Sequence, residues 1–99
     1  MSNIDKEIKR TDDAWWVYMV RCSDDSLYTG CTTDLQRRVQ EHNGKSGRGA
    51  KYTASRRPVF LSAAVQVVGR SAAQKLEYAL KSMTRANKLL WCANNGVSV

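Results

Sequence analysis

Apolar residues first become dense at Trp15, and the way they recur from there divides the chain into elements. "WWVYMVRC" is aromatic and β-branched, "SDDS" supplies turn chemistry, and "LYTGC" resumes the apolar run, which together predict a β-hairpin. Alternate strand residues face opposite sides, so Tyr18 and Tyr28 share a face only if paired positions sum to an even number. A two-residue Asp24-Asp25 turn makes the sum odd and parts them, whereas an odd-length loop, at 23 to 25 or 22 to 26, or a bulge that restores the parity, unites them and is the expectation here. Thr33 and Gln36 fit a capping box, with Asp34 at the positive end of the helix dipole; this predicts a helix from about residue 34 to Glu41 or His42, stopping near Asn43-Gly44. "GKSGRGAKYTASRRP", residues 44 to 58, reads as a Gly-rich basic loop. "VFLSAAVQVV" predicts a third strand ended by Gly69. Ser71 and Gln74 repeat the capping signature before a second helix, whose apolar positions 72, 73, 76, 79, 80 and 83 form one stripe. Thr84 caps a shorter third helix through Trp91. The order is β-β-α-β-α-α in one α/β (α+β) domain spanning 14–91, with a loose N-terminal arm at 1–13 and a C-terminal tail at 92–99.

The first helix carries polar side chains where its buried side belongs. At 100° per residue, with Leu35 at zero, Val39 lies at about 40° and His42 at about −20°, so His42 faces inward. Arg38 falls at about −60°, on the border of the stripe, and Arg37 at about 200°, toward water. A border arginine either snorkels along the core or reaches a pocket, and an inward histidine is either a satisfied core residue or a catalytic one. Together with Tyr18 and Tyr28 the two form a set able to bind phosphate and move a proton. On the second helix, with Leu76 at zero, Glu77 sits at about 100°, again a border position, and Lys81 at i+4 offers it an ordinary surface ion pair.

Composition narrows the partners. The net charge of +7 favours an anionic partner, nucleic acid or a membrane surface. No apolar run approaches the roughly 18 residues of a membrane span, and the N-terminus has no apolar signal core, so the reading is a soluble, cytoplasmic protein with no membrane role. Between Arg37 and Arg57 stand seven basic residues (Arg37, Arg38, Lys45, Arg48, Lys51, Arg56, Arg57) against Glu41. That run is either solvated surface or a track for a nucleic-acid backbone, and the second reading is preferred. Cys22, Cys31 and Cys92 share no metal-ligand spacing and read as small reduced core residues. Trp15, Trp16 and Trp91 read as core or rim.

Val17-Tyr18-Met19, then Tyr28-Thr29-Gly30 ten residues later, then Arg38, His42 and a helical Glu77 resemble the GIY-YIG nuclease superfamily. "LYTGCTTDLQRRVQEHN", "GAKYTASRRPV" and "SAAQKLEYALK" resemble especially its small stand-alone YhbQ-like branch, over about residues 14 to 91. The resemblance lies in spacing more than in letters: of the two triplets only the tyrosines and the glycine match strictly, and a lysine found after the second triplet in some members is Cys31 here. It implies a three-stranded antiparallel sheet flanked by about three helices and one-metal phosphodiester hydrolysis with Mg2+ or Mn2+. One of Tyr18 and Tyr28 would deprotonate the attacking water and the other hold phosphate or water. Arg38 would stabilise the pentacovalent phosphate, His42 would assist it or orient a tyrosine, and Glu77 would be the metal ligand. Gly30 would let backbone come close at a strand end, and Lys45, Arg48, Lys51, Tyr52, Arg56 and Arg57 would bind nucleic acid, with Tyr52 stacking near the site or simply packing over the sheet. The function expected is a divalent-metal-dependent endonuclease acting on DNA or structured nucleic acid. Its rivals are a non-catalytic nucleic-acid-binding module and a protein-interaction domain using the basic face.

Overall fold

The computed structural model describes residues 13–44 and 47–96. The arm up to residue 12, Lys45 and residues 97–99 of the tail lie outside them. Strands β1 (Ala14–Arg21), β2 (Leu27–Thr32) and β3 (Phe60–Val68) form one antiparallel sheet in the order β2-β1-β3. Four helices accompany it: α1 (Leu35–Asn43), a short α2 (Lys51–Ala54), α3 (Arg70–Lys81) and α4 (Arg85–Asn94). The architecture is α+β, as expected, with α2 an additional turn of helix inside the segment that reads as a loop.

The hairpin loop occupies residues 22 to 26, and the register pairs Tyr18 with Gly30 and Val20 with Tyr28. The sums are even, so the two tyrosines share a face. Asp25 makes the loop possible by taking a left-handed φ of 68°, a conformation Asp tolerates better than most residues, while the Asp24 carboxylate accepts from Ser26 N.

Sheet alternation then sorts the core into two layers. Val17 and Met19 point toward α3 and α4, where Ala73, Leu80 and Cys92 bury against them. Tyr18 and Val20 point the other way, toward Leu35 and Val39 of α1. A bulge between β1 and β3 pairs Met19 with Ala63 but Val20 with Leu61, leaving Ser62 as the extra residue. Leu61 thereby turns to the α1 face with Val20, whereas strict alternation from Ala63 would have sent it to the other layer.

Helix starts differ from the capping boxes by small shifts with clear causes. Thr32 Oγ1 accepts from Asp34 N at 3.1 Å, which holds Asp34 extended, and its carboxylate, not the Thr33 hydroxyl, caps α1 at Arg37 N. Gly69, at φ 94°, turns the chain straight from β3 into α3, so Ser71 lies inside the first turn instead of capping it. The α3 stripe is narrower than predicted: Ala73 and Leu80 are buried, Leu76 and Met83 pack beside them, and Ala72 and Ala79 are exposed. Helix α4 runs to Asn94, three residues past Trp91, because Cys92 still faces the core with its thiol 3.6 Å from the Met19 sulfur. Asn95 and Gly96 then reach the outer edge of β3 at Ala64 and Ala63.

Gly30 has no side chain because the Tyr18 ring lies where one would be. A Cβ there would stand 2.5 Å from the Tyr18 hydroxyl and 2.8 Å from the ring carbon bearing it. Gly30→Ala should therefore lower stability by about 1–3 kcal/mol through overpacking, a fall of several degrees in thermal midpoint. An unchanged midpoint would show that the Tyr18 ring can step aside freely.

Candidate active site

Tyr18, Tyr28, Arg38 and His42 meet on the α1 face of the sheet. Strand β1 delivers Tyr18, and α1 crosses above it with His42 one side-chain length away. The Tyr18 hydroxyl and His42 Nε2 are 2.7 Å apart, and both residues are about 1 % exposed. The other ring nitrogen, Nδ1, is 2.8 Å from the hydroxyl of Thr53, which is itself fully buried and bonded to the Ala50 carbonyl at 3.0 Å. Tyr28 packs edge-on against the same imidazole, with ring centres 5.3 Å apart. His42 is thus both the satisfied core residue and the hub of the polar set.

Burial governs the electrostatics. It pushes the Tyr18 phenol well above its ordinary value, although the Arg38 guanidinium beside it acts the other way. The same burial, together with the Arg38 charge, lowers His42 to about 4, against a weaker opposing effect from Glu41. At neutral pH the pair is a neutral phenol bonded to a neutral imidazole.

Arg38 and Arg37 diverge as the helical wheel predicts. Arg38 is three-quarters covered; its Nη1 donates to Glu41 Oε1 at 2.8 Å and to the Arg48 carbonyl at 2.7 Å. Arg37 is 55 % exposed and only loosely paired with Glu41, at 3.7 Å.

Glu77 stands in the other layer, at the β2 edge. Its Oε1 accepts from the Cys31 thiol at 3.0 Å and its Oε2 is 2.7 Å from Lys81 Nζ. Lys81 reaches round the strand edge to lie 5.9 Å from the Tyr28 ring centre, so it links Glu77 to the tyrosine face. The carboxylate raises the Lys81 pKa, and burial, followed by Glu77, pushes the Cys31 thiol up to about 11. Among the described residues no cluster of three His, Cys, Asp or Glu could hold a metal ion. One carboxylate nevertheless suits a Mg2+-type ion that takes its remaining ligands from phosphate and water, provided the half-exposed Lys81 swings aside.

The basic segment flanks this face. Tyr52 stacks on Tyr28 at 5.7 Å and 24°, and Arg56 lies 3.8 Å above the Tyr52 ring while its Nε bonds Asp24 at 3.0 Å. Tyr52 therefore both packs and stays open, at 38 % exposed. Arg57 donates to the Gly44 carbonyl at 2.6 Å, and Lys51 and Arg48 are exposed. Gly30 is buried under Tyr18, and the lack of a side chain there admits that ring. Thr53, eleven residues from His42 across a loop, and the Cys31 contact with Glu77 are additions to the set that the sequence singles out. The Glu41 partner of Arg38 was readable from its i+3 spacing.

The family model of the GIY-YIG catalytic domain matches residues 14–89. A UPF0213 protein of Desulfotalea psychrophila is 48% identical over 87 residues, covering 86% of this chain and 78% of that protein. A UPF0213 protein of Haloquadratum walsbyi is 53% identical over 77 residues, covering 78% and 84%. In three dimensions the chain resembles the solution NMR structure of a UPF0213 protein from Bacillus halodurans, with a TM-score of 0.55 and 38% identity over 84% of this chain and 86% of that one. With the tyrosine pair, Arg38 and His42 standing together inside the matched span, the chain belongs to the GIY-YIG catalytic-domain family, among its UPF0213 members.

Proposed function

We propose that this domain is a divalent-metal-dependent endonuclease that hydrolyses phosphodiester bonds in nucleic acid, DNA in particular. The observation that carries the reading is the 2.7 Å contact between the Tyr18 hydroxyl and His42 Nε2, with the Arg38 guanidinium beside the same phenol. A neutral phenol with a raised pKa is a poor base alone, and it acts as one only by handing its proton on as it receives another. The attacking water gives a proton to the Tyr18 oxygen while the Tyr18 proton passes to His42 Nε2. The water oxygen bonds to phosphorus, the bridging P–O bond breaks, and the leaving oxygen takes a proton from solvent. Arg38 lies against the same phenol, and its planar guanidinium turns to the phosphate and stabilises its developing charge. Tyr28, half-buried, holds phosphate or water. Glu77 would hold the divalent ion, which when bound neutralises phosphate charge and the leaving oxygen. Lys51, Tyr52, Arg48, Arg56 and Arg57 form the nucleic-acid face; Lys45, assigned to the same role from the sequence, lies outside the described residues. No helix among the described residues is long and apolar enough to cross a membrane. A cytoplasmic location is part of the proposal.

A second reading, a nucleic-acid-binding module without cleavage, has its own support, since both Glu77 oxygens are engaged by Cys31 and Lys81. Incubating purified protein with nicked, branched, single-stranded and duplex substrates and Mg2+ or Mn2+ separates the two: metal-dependent cleavage upholds the nuclease, and salt-sensitive binding alone upholds the module.

Three outcomes are expected. Arg38→Ala abolishes cleavage and leaves most binding, whereas Arg37→Ala costs at most about one unit of salt slope; equal effects would remove Arg38 from the chemistry. Glu77→Gln lowers turnover with DNA binding intact or tighter, while Lys81→Gln costs only about 0.3–0.5 kcal/mol of stability, read as thermal midpoints and nicking rates. Full activity in Glu77→Gln would show that this carboxylate holds no ion. Because the folded His42 pKa of about 4 lies below the ordinary 6.5, the unfolded chain binds more protons between these values, and stability falls as pH drops through that window, by roughly 3 kcal/mol in all. His42 is the chain's single histidine, so NMR titration of its ring protons checks this directly, a midpoint near 6.5 being the contrary result.

A further inference from the structure

Both nitrogens of His42 are engaged, and the way the second one is engaged decides what the first can do. Nδ1 is 2.8 Å from Thr53 Oγ1, and Thr53 Oγ1 is 3.0 Å from the Ala50 carbonyl, an acceptor only. The threonine hydroxyl carries one proton. If that proton goes to Ala50 O, the Thr53 oxygen must accept from Nδ1–H, which leaves Nε2 bare and able to accept from Tyr18 O–H at 2.7 Å. In the reverse arrangement Thr53 would donate to Nδ1, which would also take the Ala50 N–H, but that contact is 3.5 Å long, and Nε2–H would then point at Tyr18 and block its proton. The 2.8 Å contact is common to both arrangements; the first adds the 3.0 Å bond from Thr53 to the Ala50 carbonyl and the second the 3.5 Å bond from Ala50 N to Nδ1, and the shorter of these two favours the first.

We propose that Thr53 is a positioning residue: anchored on the Ala50 carbonyl, its hydroxyl holds His42 as the Nδ1–H tautomer and so makes Nε2 the acceptor for the Tyr18 proton. The catalytic consequence rests on the nuclease reading; the tautomer does not. Helix α2, the short element inside the basic segment, gains a purpose from this, since it brings a buried hydroxyl under the imidazole from a segment whose outer face carries Lys51 and Tyr52. The mechanism needs only that the imidazole be presented in one protonation pattern, as a histidine in the wrong tautomer is a poor proton acceptor however well placed.

Long-range 15N NMR of the single histidine reads the tautomer in the free protein. The native chain should show a protonated Nδ1 and a bare Nε2; Thr53→Val, which keeps the shape and removes the hydroxyl, should move the ring toward Nε2–H; Thr53→Ser should restore the native pattern. In the nicking assay Thr53→Val should lose about 100-fold in kcat with KM little changed, and Thr53→Ser should recover most of it. A native Nε2–H ring, or a Thr53→Val ring unchanged in tautomer, overturns the proposal. A shift in tautomer in a protein that cleaves nothing upholds the positioning and overturns the nuclease reading. If Thr53→Val does not fold, Thr53→Ala serves as the hydroxyl-free variant, and a ring in it that keeps the native Nδ1–H pattern overturns the proposal.

Discussion

The hydroxyl of Tyr18 is a polar group placed in the apolar interior, and most of the α1 face of the molecule follows from keeping it partnered. An unbonded buried hydroxyl costs several times what a satisfied one contributes. Strand β1 cannot shed the residue to solvent, since its neighbours Val17 and Met19 are needed in the opposite layer and alternation fixes the face. The ring therefore needs room on β2, which the absent side chain of Gly30 supplies, and an acceptor above it, which α1 supplies as His42. Burying His42 creates a second obligation at Nδ1, and Thr53 meets it. Each step settles one buried polar atom by burying another, until the chain of bonds ends on the backbone at Ala50.

The sheet keeps this network apart from the acid it is expected to work with. Tyr18, Tyr28 and His42 occupy one face; Glu77 and Cys31 occupy the other, and Lys81 reaches from Glu77 round the β2 edge to Tyr28. A ligand that used both would lie across that edge strand, with the Tyr52–Arg56 stack on one flank and α3 on the other. The edge position of β2 in the β2-β1-β3 order is what leaves such a path open.

Much of this was legible in the chain because it depends on period alone. The split between Arg37 and Arg38 follows from the helical wheel alone, and the shared face of Tyr18 and Tyr28 follows from parity once the loop is five residues long and not a two-residue Asp24-Asp25 turn. What failed was chemistry decided by a neighbour. The Thr33 and Ser71 capping boxes are good local patterns, but a Thr32 hydroxyl moved the first cap one residue on, to Asp34, and Gly69 at positive φ moved the second two residues back, to itself. Helix α2 carries no periodic signal in four residues, and Thr53 is joined to His42 only through the folded path of the loop. The Cys31 contact with Glu77 spans 46 residues and has no local mark at all. At Glu77 the surface pairing with Lys81 foreseen from i+4 spacing is present, and it coexists with the position that the resemblance assigns to a ligand.

A common feature joins the cations of the site. Arg38 is held by Glu41, Lys81 by Glu77 and Arg56 by Asp24, so each positive group nearest the tyrosines rests on a carboxylate. Part-exposed pairs of this kind are individually weak, which allows a phosphate, bearing full charge and several acceptor oxygens, to draw the cation away at small cost. The carboxylates also hold the long side chains in place beforehand, so less conformational freedom is lost when the phosphate arrives. Withdrawing Lys81 from Glu77 would free an anionic oxygen at the strand edge at the same moment that phosphate charge gathers there. A cation arriving there would find, among the described residues, a single carboxylate, and the charge of the phosphate would add to its attraction.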